Sequence, residues 1–79
     1  MNSERLTAML DGAREDWDAY VYRQRGPKRA YAERYGEFRF GTGALPNEDG
    51  IGRIAAARVR DRAEDVYRHW WTLYIGPSR

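Results

Sequence analysis

Residues 49–75 read DGIGRIAAARVRDRAEDVYRHWWTLYI, and their periodicity decides the fold. Ile51, Ala55, Val59, Ala63, Val66, Trp70 and Leu73 recur at four- and three-residue steps. At about 100° per residue this keeps them in one seam of a long helix. Asn47 or Asp49 is placed to cap it. Off the seam, Arg60 with Glu64 and Glu64 with Arg68 stand at helical pairing distance, each pair contributing about 0.2–0.5 kcal/mol. Toward the end of the stretch Tyr67, Trp71 and Tyr74 widen the apolar sector to one side.

A seam of this length needs a second apolar face, and residues 3–24 supply one. Leu6, Leu10, Ala13, Trp17, Tyr20 and Val21 fall on one side of a helix, and Glu4, Asp11, Glu15 and Asp18 form an acidic stripe on another. Ser3 is the expected N-cap. Gly12 weakens this helix by about 1 kcal/mol relative to Ala and marks a point where it could break.

The connecting residues 27–45 have two readings. Pro27 suits the first turn of a helix and Gly36 its end, with Tyr31 over Tyr35 between them. Phe38 and Phe40 alternate with Glu37 and Arg39, which is strand periodicity. The preferred reading is a short helix followed by a short extended piece, then a loop at Gly41-Thr42-Gly43. The expected fold is therefore mainly α and a single small helical domain over 1–79. Two long antiparallel amphipathic helices, about 3–24 and about 49–75, flank a mixed segment at 27–45, and Leu6, Leu10, Trp17 and Val21 face Val59, Val66, Trp70 and Leu73.

Composition narrows the function classes. The chain has 79 residues and no Cys, which removes disulfides and thiolate metal sites. No apolar run approaches the roughly 18 residues of a membrane span. The N-terminus lacks the basic-then-apolar run of a signal peptide, so a cytoplasmic location is expected. A chain this small buries only about 60% of its unfolded surface, so its core is thin. Arg outnumbers Lys thirteen to one and Ala is abundant. That bias fits GC-rich codons of the kind found in actinobacteria and their phages, where a small protein modulating a host process is a natural expectation.

The net charge of +2 conceals a dipolar layout. Residues 1–22 carry five acids against two bases, and residues 23–39 carry six bases against two acids. Arg23, Arg25, Lys28, Arg29, Arg34 and Arg39, interleaved with Tyr31, Tyr35, Phe38 and Phe40, make a basic-aromatic belt. One reading folds this belt back onto Glu15 and Asp18, in the same chain or a neighbouring copy. The other makes it a small nucleic-acid-binding surface, with Arg on phosphates and rings on bases.

Motifs for chemistry are sparse. His69 is the lone histidine, with Asp65 one turn before it, and beside Trp70 it reads as structural. The glycines at 41, 43, 50 and 52 lack the Gly-Lys-Ser/Thr of a phosphate loop. The expectation is no enzyme, no cofactor, no metal and no catalytic residue. The aromatic end carries the strongest signal. Adjacent Trp70 and Trp71 point about 100° apart, so one wall cannot take both. One Trp packs inward against Trp17 and Leu10. The other, with Tyr67 and Tyr74, needs the aromatics of 27–45, a second subunit or a foreign partner. Tyr67, Trp70, Trp71, Tyr74 and Ile75 are thus the expected protein interface, for self-association as a dimer or higher assembly, or for another protein.

Overall fold

The computed structural model describes residues 3–76, which form three helices and no strand: α1 (Ser3–Tyr22), α2 (Gly26–Phe40) and α3 (Arg53–Tyr74). They pack as a compact bundle about 39 × 22 × 21 Å across.

α1 is unbroken through Gly12 and ends at Tyr22, and Ser3, expected as its cap, is itself helical. Its buried face is Met9, Ala13, Trp17 and Val21, rotated by a fraction of a turn from the expected one. Leu6 and Leu10 are half-buried at its edge and Met9 is fully enclosed.

The segment after α1 is helical throughout, so the extended piece expected at Glu37–Phe40 does not form. Gly26, at a φ of +60°, turns the chain into α2, and Pro27 follows it in the first turn, where a fixed φ and a missing N–H cost nothing. Gly36, expected as the helix end, lies buried inside α2. Trp17 explains why. Its indole crosses α2 at Gly36, where a β-carbon would overlap the ring, and its Nε1–H donates to the Ala32 carbonyl at 2.9 Å. Tyr31 does stack over Tyr35, with ring centroids 6.0 Å apart. Both rings and Phe40 are core. The C-terminal turn of α2 is held from α1, since Arg14 donates to the Phe40 carbonyl and pairs with Glu37. A cation there satisfies a carbonyl left over at the helix end and suits the dipole.

α3 begins at Arg53, four residues later than expected at its earliest, and neither Asn47 nor Asp49 caps it. Asn47 Oδ1 instead accepts the Asp49 N–H in the loop. Ile51 lies outside the helix yet packs on the core. The buried seam is Ala56, Val59, Ala63 and Val66, with Ala56 in the place expected of Ala55. Leu73, expected in the core, is 60% exposed. The seam ends at Trp70, whose ring fills the remaining space against α1.

Contacts between α1 and α3 run in reverse chain order, Trp70 against Gly12 and Asp16, then Arg62 against Tyr20. Contacts between α2 and α3 run in the same order, Tyr31 with Arg60, then Arg39 with Glu64 and Tyr67. The 41–52 connection therefore travels back along α2. It is tied down where the Gly43 N–H donates to the Glu37 carbonyl and where Glu48 pairs with Arg60. The charge pairs expected within α3 are replaced by these pairs between elements: Arg60 goes to Glu48 and the Tyr31 hydroxyl, and Glu64 goes to Arg39.

Candidate functional site

The two adjacent tryptophans part company as their spacing requires. Trp70 turns toward α1. Its six-membered ring occupies the space where a Gly12 β-carbon would be, and its Nε1–H donates to Asp16 Oδ2 at 2.9 Å. Tyr74 stacks on it at 5.9 Å, and His69 meets it edge-on at 5.7 Å. Asp65 pairs with Arg68 rather than with His69, which is exposed.

Trp71 turns the other way, onto Tyr67, with centroids 6.0 Å apart and planes within 20°. Tyr67 in turn stacks on Phe40 at 6.2 Å, and Phe40 touches Trp17 in the core at 5.8 Å. A ladder of rings thus climbs from the centre of the bundle to its surface, and Trp71 is its outermost rung. Arg39 roofs the ladder with its guanidinium 3.9 Å from the Tyr67 centroid. It is held there by a forked pair to Glu64, Nε to Oε1 at 2.6 Å and Nη2 to Oε2 at 3.1 Å. That hydrogen bonding raises the Arg39 pKa and lowers that of Glu64, so both stay charged.

Of the occupants expected for the second aromatic set, α2 covers Tyr67 through Phe40 and Arg39. Trp71 remains half-buried in an open groove with Arg39, Glu64, Tyr67, Arg68 and Thr72. A second hollow, lined by Asp65, Arg68, His69, Thr72 and Leu73, lies across the Arg68–Thr72 ridge. Ile75 is half-buried just past the helix, its N–H on the Trp71 carbonyl at 2.8 Å.

The basic-aromatic belt is divided by folding. Tyr31, Tyr35 and Phe40 are interior, and Phe38 stays at the surface, 38% exposed. Arg39 is engaged by Glu64, not by Glu15 or Asp18. Arg34 is exposed and lines the recess where the 41–52 loop passes α2. Arg23, Arg25 and Arg29 are exposed around the α1–α2 corner, and Lys28 shares a groove with Arg53 and Arg58.

Read along the chain, Asp16 drew no role and Gly12 marked only a point where α1 could break. Their i, i+4 spacing on α1 was legible and places them on one face, one as acceptor and one as gap for an indole. The pairing with Trp70 was not legible, because 54 residues separate Asp16 from it.

Among the described residues no three His, Cys, Asp or Glu side chains gather as a metal site, and no helix is long and apolar enough to cross a membrane. No protein-family model, curated protein or solved structure matches this chain.

Proposed function

We propose that the chain is a non-enzymatic protein-interaction module whose contact surface is the groove at the outer end of the ring ladder, on the longer helix of an antiparallel α1–α3 pair. The observation that carries this reading is the position of Trp71. It is backed by Tyr67 and Phe40, flanked by Arg39 and Arg68, and open on one side. Trp, Tyr and Arg in a rigid, partly desolvated setting are the residues that dominate binding energy at protein interfaces. The surrounding rings and the Arg39–Glu64 fork hold the groove in shape before binding, which lowers the ordering cost of association.

The first occupant of the groove is a second copy of the chain, because a core this thin gains from pairing. A role in modulating a host process rests on size and codon bias alone. Light scattering on a sizing column over a concentration series tests the reading. Wild-type mass should rise above the 9.3 kDa of one chain. Trp71→Ala should hold the mass at one chain over the same range with helical circular dichroism unchanged. A wild-type monomer at every concentration overturns self-association, and a Trp71→Ala variant that unfolds returns the residue to the core.

A further inference from the structure

Seven cations from three separate stretches of chain converge on the end of the bundle opposite Trp70. Arg23 follows α1, Arg25, Lys28 and Arg29 lie at the start of α2, and Arg53, Arg58 and Arg62 lie on the N-terminal half of α3. Side-chain contacts fix this convergence: the Arg62 guanidinium lies 5.7 Å from the Tyr20 ring, that of Arg29 lies 5.7 Å from Tyr22, and Lys28 lines one groove with Arg53 and Arg58. Among the described residues the ion pairs use Arg14, Arg39, Arg60 and Arg68, and none uses these seven. Asp18, Glu33, Asp49 and Asp61 are their nearest acids in sequence, and they form no ion pair with them either.

This layout works against the fold. α2 and α3 have no acid in their first turns and no side-chain hydrogen bond at their N-caps, and both begin with basic residues instead. Cations at a helix N-terminus oppose the dipole, and clustered like charges repel. A bound polyanion relieves both costs. Tyr22 stands among these cations with 77% of its surface exposed, the largest exposure among the bulky apolar side chains of the described residues. An exposed ring beside an Arg is a platform for an unpaired base, whereas a paired base keeps its faces covered.

We infer that this end of the bundle binds single-stranded nucleic acid, with Arg25, Arg29, Arg53 and Arg58 on phosphates and Tyr22 stacked on a base. The surface is separate from the Trp71 groove and differs from the belt read along the sequence, since it loses Arg34 and Arg39 and gains three arginines of α3.

Fluorescence anisotropy of a labelled oligothymidine at several salt concentrations tests it, with a duplex of equal length and polyglutamate as competitors. Binding should weaken with salt at a log–log slope of about −3, that is, about −0.7 for each of four phosphates. The double variant Arg25→Ala/Arg58→Ala should bind at least tenfold more weakly and with a slope shallower by about 1.4. Tyr22→Ala should weaken the single strand and leave the slope in place. Arg34→Ala and Arg68→Ala should bind as wild type. Circular dichroism of each variant separates lost binding from lost fold. Absence of binding at low salt, tighter binding of the duplex, equal competition by polyglutamate, or an equal loss in Arg34→Ala overturns the inference.

Discussion

The ring of Trp70 lies in the space that a side chain at residue 12 would occupy, so α3 closes on α1 only because that residue is Gly12. Trp17 and Gly36 repeat the relationship between α1 and α2. In both cases a residue that helix propensity penalises makes room for an indole.

Gly12→Ala and Gly36→Ala should therefore destabilise the protein, by about 1–3 kcal/mol, as overpacking does. Propensity alone has the opposite sign, about 1 kcal/mol in favour of Ala. Thermal or urea unfolding of the two variants decides between them. Gly36→Ala should be the worse, since it also disturbs the buried hydrogen bond from Trp17 to Ala32.

Glu64 couples stability to acid. Its pKa is lowered from 4.5, chiefly by its hydrogen bonds from Arg39. A carboxylate with a lowered folded pKa contributes stability above its unfolded pKa and loses it as pH falls through the lowered value. The side chain is about half exposed, so screening keeps the contribution below about 1 kcal/mol. Glu64→Gln should be less stable than wild type at pH 7, and the gap should close below about pH 4. Urea midpoints at the two pH values measure this.

At alkaline pH the buried tyrosines take over. Burial raises the Tyr35 pKa above 10.0, with the Glu64 charge adding to it, and burial likewise raises that of Tyr20. Stability tied to a raised folded pKa is complete below the unfolded pKa and is lost as pH rises through the folded one. Tyr35→Phe should unfold at higher pH than wild type. Helical circular dichroism followed together with tyrosinate absorbance reads both events.

Arg14 acts as a cap supplied from another helix. Arg14→Met keeps the aliphatic stem and removes the donor to the Phe40 carbonyl and the pair with Glu37. The local cost is about 0.5–1 kcal/mol. Amides at the end of α2, and the Gly43 amide that bonds to Glu37, should exchange roughly two- to fivefold faster.

The helices were legible in the sequence because period and punctuation are local. Ala13, Trp17 and Val21 in α1, and Val59, Ala63 and Val66 in α3, are read directly from spacing and are buried. The errors came where partners from other elements decided the outcome. Gly36 looks like a helix end until an indole lies across it, and Phe38 and Phe40 look like strand until Phe40 meets Trp17 and Tyr67. Leu73 fits the seam by angle, but the Trp70 ring takes the last space on α1. At the aromatic end, the divergence of Trp70 and Trp71 follows from helix geometry alone, whereas the roof of Arg39 over Tyr67 depends on α2. The basic end was read as one continuous belt because its α3 members are distant in the chain.

The return of the 41–52 connection along α2 has a kinetic consequence. α1 and α2 meet through contacts such as Trp17 with Ala32, 15 residues apart, whereas Asp16 and Trp70 are 54 apart. Contacts that close short loops form early in folding, and distant ones complete it. The α1–α2 hairpin should thus form the nucleus, with α3 the last element to dock and the first to leave. Gly36→Ala then slows refolding, while Gly12→Ala leaves refolding nearly untouched and speeds unfolding.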